Sequence, residues 1–431
     1  MKRNSLFLLL AGVALLVAVP WLLSQGLVNA AIQMLIAALF ACAYNLLCGQ
    51  GGMLSFGHAA YFGVGAFATV HAMNALGGTG LLPTPLLPLA GAVGGLCFGT
   101  VAGYFATKRS GTYFAMITLA IAELVHSLAP HLKDVFGGEA GVSSTRMPAW
   151  GLGFGSTNEV YYLTLAWVLV SLAALFLFTR TPLGRLVLGL RENAHRLRFL
   201  GYDTHRLSVI VFAVSAMFSG LAGGLQVMNN ESANYAVFDP SLSAAVVLNT
   251  YIGGVKVFLG PALGAALMTF FGYAVSDLTQ SWLLYQGTLF VLVMMFMPTG
   301  LAGLFGLFGQ LRRRFGLAAL MPLVLLSLGA ALALSMGGAF VIETLQRVFS
   351  QDYRALAAAQ GSAAWPPITL VGRAWSPTAP GTWLVPAGLL AVGACLAWLA
   401  RWRLRTLESQ ERTPEATAAT ATSPDTQRSA A

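Results

Sequence analysis

Arg180-Thr-Pro-Leu-Gly-Arg185, Arg191-Glu-Asn-Ala-His-Arg-Leu-Arg198 and Phe199-Leu-Gly-Tyr-Asp203, with Arg206 just beyond, form the one strongly charged stretch set between two long apolar runs. Pro182 opens and Gly201 closes what the polar spacing predicts to be a short amphipathic helix. Such a helix lies along a membrane surface or docks into a partner's groove. Its charge fits an ordinary basic cytoplasmic loop equally well.

The surroundings decide the class. Hydrophobic residues make up 57% of the chain and charged residues 9%, and the mean hydropathy is +0.73. A water-soluble fold would have too little polar surface to cover itself, so the chain reads as a polytopic membrane protein. A formal charge of +9 could point to nucleic acid. Basic residues in a membrane chain mark cytoplasmic loops instead, and no basic patch with interleaved aromatics argues for a nucleic-acid partner. Cys42, Cys48, Cys97 and Cys395 lie in apolar runs without metal-ligand spacing, and are read as small buried hydrophobes.

Outward from the basic stretch, apolar runs cover 6–23, 28–48, 59–73, 86–107, 113–132 and 160–179 before it, and 207–228, 283–308, 317–341 and 383–400 after it. Two shorter runs, Ser241 to Ile252 and Phe258 to Val275, are separated by Gly253-Gly-Val-Lys256 and Gly260-Pro261. Short segments interrupted by Gly and Pro predict half-helices at membrane depth. Gly49-Gln-Gly-Gly-Met-Leu-Ser-Phe-Gly-His58 predicts an irregular start to the third span.

With the N-terminus inside and sides alternating, only Lys133, Arg146, Arg347, Arg354 and Arg373 of the 24 basic residues fall outside, leaving 19 inside. This split predicts an all-α transmembrane bundle with broken or short helices, about twelve passes, both termini cytoplasmic and a cytoplasmic basic loop. Residues 1–309 are expected to form the core, with the loop at 180–206. Residues 310–405 would add a transmembrane hairpin whose segment 343–382 faces outward. The Thr-, Ala-, Ser- and Pro-rich tail 406–431 is expected to be disordered.

Gly49-Gln-Gly-Gly-Met-Leu-Ser-Phe-Gly-His-Ala-Ala-Tyr-Phe-Gly-Val-Gly-Ala66, Gly111-Thr-Tyr-Phe-Ala-Met-Ile-Thr-Leu-Ala120, Ile252-Gly-Gly254 with Leu259-Gly-Pro-Ala-Leu-Gly-Ala265, and Met297-Pro-Thr-Gly-Leu-Ala-Gly303 resemble the permease subunits of branched-chain amino acid ABC transporters. The resemblance covers roughly Leu6 to Gly309. It implies an inner-membrane subunit that pairs with a second permease subunit, two cytoplasmic ATP-binding subunits and an extracytoplasmic solute-binding protein, in contact with membrane lipid. ATP would be held by the partner ATPases, with no cofactor on this chain. The resemblance also implies a coupling helix at Arg191 to Gly201, with Arg191, Glu192, Arg196, Arg198 and Gly201 meeting the ATPase. Where relatives often place two alanines before the coupling glycine, this chain has Arg196 and Leu197, and the usual Gly-Ser after the Gly-Gly is replaced by Lys256-Val-Phe258.

The chemistry of the residues agrees. There is no Gly-x-x-x-x-Gly-Lys-Ser/Thr phosphate loop, so any ATP hydrolysis belongs to a partner and the chain is not itself an enzyme. Glycine clusters let helices unwind and expose backbone groups to a zwitterionic solute, or simply let helices pack closely. Gly51, Gly52, Ser55, His58, Thr118, Glu123 and Asn249 are assigned to the substrate pathway. Glu123 is expected to face the protein interior rather than lipid, and with His126 three residues on it is either a structural pair or part of that pathway. His58 lacks a second ligand at metal spacing, so no metal site is expected. An ion-coupled secondary transporter of a small polar solute is the alternative, with Glu123 its one candidate carboxylate. An intramembrane enzyme is disfavoured, because His58, His126 and His131 are scattered.

Overall fold

The computed structural model describes residues 3–77, 81–276, 279, 281–297, 299–359, 365–370 and 373–421. The chain divides into two compact units, Met1–Leu278 with Leu283–Leu304, and Thr279–Trp282 with Phe305–Ala431. The first carries α1 (Arg3–Leu22), α2 (Gln25–Asn45), α3 (His58–Leu76), α4 (Pro88–Ala106), α5 (Thr112–Leu128), the single turn α6 (Lys133–Phe136), α7 (Thr157–Arg180), α8 (Pro182–Phe199), α9 (Thr204–Asn230), α10 (Pro240–Gly253), α11 (Gly260–Ser276) and α12 (Trp282–Phe296). α13 (Gly300–Phe349), α14 (Gln351–Ala359) and α15 (Pro380–Ala421) follow.

The protein is an all-α membrane fold. Among the described residues six helices are long and apolar enough to cross a bilayer, and Leu10–Leu22, Thr112–Leu128, Gly260–Ser276 and Trp282–Phe296 are shorter apolar helices. The expected span 283–308 is divided, α12 ending at Phe296 and α13 starting at Gly300. Gly300 takes a positive φ of 69°, which turns the chain between them.

The first unit is built around α9, which packs against α3 and α4 through glycine. A Cβ at Gly65 or at Gly91 would collide with the Gly220 carbonyl, one at Gly95 with the Ala216 carbonyl, and one at Gly223 with the Phe62 carbonyl. Lipid tails are as apolar as Leu, so helices in a membrane gain little from hiding side chains and associate where backbones approach closely. Fully buried Tyr44, Tyr61, Phe114 and Phe212 fill the space beside this seam.

Helix ends sort to two poles. At one, β1 (Val142–Ser143) pairs antiparallel with β2 (Ser232–Ala233). There Arg146 donates from Nη1 to the Met228 carbonyl at 2.7 Å and from its backbone amide to Glu231 at 2.9 Å. At the other, the Thr107 hydroxyl meets His205 Nδ1 at 3.1 Å, joining the end of α4 to the start of α9. Lys108, Arg109 and the 180–206 stretch therefore share one pole, the grouping that membrane proteins show on their cytoplasmic side.

In the second unit α13 contains a non-helical residue, Gly316 (φ 77°, ψ 164°), so it is two helices end to end. Its second part packs on α15, with Gly337 against Leu390 and Gly393 against Leu334. Within 343–382, α14 and the hairpin of β3 (Ile368–Leu370) and β4 (Arg373–Trp375) bring Tyr353, Ile368 and Trp375 into a small cluster that also takes in Phe340 of α13. Residues 360–364 and 371–372 of that segment lie outside the described residues. α15 continues to Ala421, over part of the tail read as disordered. Ala, Glu, Gln and Arg in that stretch are strong helix formers, which composition-based reading discounts; 422–431 lie outside the described residues. Cys97 and Cys395 are exposed in the isolated chain, whereas Cys42 and Cys48 are buried as expected.

The glycine seam yields a stability test. Gly220→Ala should lower the midpoint of thermal unfolding in detergent, at a cost of about 1–3 kcal/mol from overpacking. Gly12→Ala, where nothing lies within 4 Å, should leave the midpoint unchanged.

Candidate functional site

The second helix changes form before it ends. After Asn45 the chain widens into one π-type turn, Leu46–Gln50, in which the Gly51 amide bonds back to Leu46 at 3.2 Å. It then runs without regular structure, through Gly52 at φ 70°, until α3 begins at His58. Such turns insert an extra residue into the helical ladder and recur at functional sites.

The depth of the break follows from α9. At 1.5 Å per residue α9 is about 40 Å long, and Ser215 lies roughly 16 Å from its start at Thr204. His58 Nε2 meets Ser215 Oγ at 2.9 Å. α3 therefore starts well inside a hydrocarbon layer of about 30 Å.

Free backbone groups at that depth need partners, and side chains supply them. Thr118 Oγ1 on α5 accepts the Phe56 amide at 3.2 Å, and Ser55 Oγ accepts the Gly57 amide at 3.3 Å. Ser243 Oγ on α10 accepts the Ala59 amide at 2.8 Å. Ser55, His58, Thr118 and Ser215 are fully buried. The Ser215 hydroxyl donates to the Ala43 carbonyl at 2.6 Å, so its oxygen accepts from His58, which fixes the Nε2–H tautomer. Nδ1 then accepts from Ser55 Oγ at 3.1 Å. Both ring nitrogens of a neutral histidine are thereby engaged in the protein itself.

The structure thus brings Ser55, His58 and Thr118 together at the break and places Gly51 and Gly52 on its basic-pole side. Asn249 sits apart on α10, buried, with no hydrogen-bond partner for its Oδ1 among the described residues; Asn45 Oδ1 is in the same state. Glu123 corrects the sequence reading. α5 turns Phe114, Ala115, Thr118 and Ala122 inward, and Glu123 lies on the opposite, exposed face with Met116 and Leu124. No hydrogen bond or ion pair joins Glu123 to His126 among the described residues; the His126 ring instead approaches Tyr235, with centroids 6.3 Å apart. Ser215 and Ser243 were missed. The serines at 208, 215 and 219 inside an otherwise apolar run were the available signal.

The basic stretch forms two helices. α8 departs from helical geometry at Asn193 (φ −160°, ψ 94°), whose side chain accepts the Arg196 amide at 3.0 Å and so caps the second piece. Gly201, at φ 88°, closes that piece: its amide bonds to Arg198 at 2.9 Å and the Tyr202 amide to Leu197 at 3.1 Å, the left-handed stop that glycine provides. Asp203 accepts the His205 and Arg206 amides to open α9. The Arg206 amide, followed by the His205 amide, holds its carboxyl below the usual range. Arg198 Nε donates to Thr204 at 2.9 Å, and Glu192 and Arg196 are exposed. Phe199, Leu200 and Tyr202 project at 91%, 66% and 46% exposure. Arg191, also exposed, reaches back to the turn and donates to the Gly49 carbonyl.

Ser215→Ala should strand the His58 Nε2–H and lower stability by about 1–3 kcal/mol. In a His58→Leu background the same change should cost far less, because the shared bond is already gone. Thermal unfolding of the four proteins in one detergent checks the cycle.

Residues 26–298 match the family model for the permease component of branched-chain amino acid transport systems. The chain is 29% identical over 323 residues, 69% of its own length and 75% of the relative's, to the high-affinity branched-chain amino acid transport system permease protein LivM of Salmonella typhimurium. It is 23% identical over 303 residues, 65% of its length, to BraD of Pseudomonas aeruginosa, covering 95% of that protein. Against LivH of Salmonella typhimurium identity is 22% over 290 residues, 62% of the chain and 91% of the relative. No solved structure matches significantly. That match spans the residues of the break, the glycine seam and the basic loop, and it places this chain in the branched-chain amino acid ABC transporter permease family.

Proposed function

We propose that this chain is the membrane-spanning subunit of an importer that moves branched-chain or closely related amino acids across the inner membrane, driven by ATP hydrolysis on partner subunits. The observation that carries the reading is the capped tip after Asn193, where Phe199, Leu200 and Tyr202 are exposed among Arg196 and Arg198. An apolar knob ringed by cations fits an acidic cleft on an ATPase better than bulk water. Both termini and this tip lie in the cytoplasm in our reading. The partners are a second permease subunit, two ATP-binding subunits and an extracytoplasmic solute-binding protein.

The outward face of Glu123 supports a path at the edge of this subunit. A carboxylate facing lipid near mid-membrane costs about 2.5–3.5 kcal/mol on insertion scales, and among the described residues nothing pairs with it. We place its face of α5 against the second permease, lining a wet passage between the two subunits.

Two outcomes follow. Gly201→Asp combined with Arg198→Glu should abolish ATP-driven uptake of radiolabelled leucine into proteoliposomes while membrane insertion is retained, since a side chain at φ 88° strains the stop and the charge reversal repels an acidic cleft. Glu123→Gln should lower uptake severalfold with an unchanged unfolding midpoint. Uptake driven by an ion gradient without ATP would replace this reading with a secondary transporter.

A further inference from the structure

Arg191 was assigned by sequence to the ATPase-facing surface, yet its guanidinium reaches the Gly49 carbonyl at the end of the π-type turn. Its stem lies under the irregular segment: a Cβ on Gly52 would stand 2.9 Å from Arg191 Cγ and 3.2 Å from its Cβ. Gly52, at φ 70°, thus meets two demands at once, a left-handed turn and room for the arginine. A cation at the carbonyl end of a helical turn is electrostatically favoured, and a charge-assisted bond is about twice as strong as a neutral one. The same turn carries Cys48, whose Sγ lies 3.5 Å from the Tyr251 hydroxyl on α10. Two residues beyond Arg191 comes the Asn193 hinge, and three beyond Gly52 comes Ser55, the first member of the His58 network.

We propose that Arg191 is a positioning residue that links the cytoplasmic loop to the intramembrane break, so that displacement of the tip about Asn193 is felt at Gly49 and passed to α3. The inference rests on the transport reading above. It gives the arginine bonded to the turn a different task from its basic neighbours: Arg196 and Arg198 present charge to a partner, whereas Arg191, through its bond to Gly49, holds the loop to the turn.

The test uses the assembled transporter in proteoliposomes with radiolabelled leucine as probe. Arg191→Met keeps the stem and removes the donor. It should lower leucine taken up per ATP hydrolysed at least tenfold, and Arg191→Lys should recover part of that ratio. Gly52→Ala, which displaces the stem, should reproduce the Met variant. In a background carrying Cys42→Ala, Cys97→Ala and Cys395→Ala, maleimide labelling of Cys48 should speed up at least threefold when Arg191 becomes Met, because the turn is released. A wild-type uptake-to-hydrolysis ratio in Arg191→Met overturns the link, and so does a parallel loss of uptake and hydrolysis with unchanged Cys48 labelling, which assigns Arg191 to docking alone. If wild-type protein shows no ATP-driven uptake, the transport reading fails, while the Cys48 rates still report whether the arginine holds the turn.

Discussion

A backbone that leaves helical geometry inside a bilayer must find partners for its amides and carbonyls within the protein, because lipid offers none. Residues 43–59 meet that demand with side chains from four helices: Thr118 of α5 accepts the Phe56 amide, Arg191 of α8 donates to the Gly49 carbonyl, Ser215 of α9 donates to the Ala43 carbonyl and Ser243 of α10 accepts the Ala59 amide. The packing of the first unit brings those four to one stretch of irregular backbone. The glycine seam lets α3, α4 and α9 approach closely enough for His58 to reach Ser215. The neutral tautomer at His58 follows from Ser215 having given its own proton to Ala43.

The same economy separates two kinds of polar residue at membrane depth. Ser55, His58, Thr118 and Ser215 direct their hydrogen bonds to the protein itself. Asn45, Asn249 and Glu123 keep capacity unspent, the first two enclosed and the third on an outward face. Groups of the second kind are available to a solute or to a neighbouring subunit.

Much of this was legible in the sequence because its signals are local. Apolar run lengths gave the helices, Gly253-Gly254 and Gly260-Pro261 gave the short pair α10 and α11, and Pro182 and Gly201 bracketed the loop helix. What stayed hidden depends on pairings across long separations. Nothing near Ser215 announces His58, 157 residues away, and a serine in an apolar run looks like filler. The direction of Glu123 was misread because a lone carboxylate was assumed to turn into its own chain, whereas a subunit built to pair can leave it for a neighbour. Arg191 was grouped with its basic neighbours by charge, although its side of the helix faces the turn and theirs do not. The hinge at Asn193 was invisible because asparagine is an ordinary residue in an exposed helix.

Arg146 carries a consequence of another kind. Its side chain is 13% exposed, pairs with Glu231 at 3.3 Å and caps the carbonyls that end α9. Mobile ions screen charges across water over about 8 Å at physiological strength, and reach partly buried pairs far less. The open pair of Arg206 and Asp203, at 84% and 52% side-chain exposure, weakens more as salt rises than the clasp at Arg146, where the Glu231 side chain is 37% exposed. The pole that carries residues 142–146 therefore keeps its shape across dilute and saline surroundings, while the pole with the basic loop remains responsive to them.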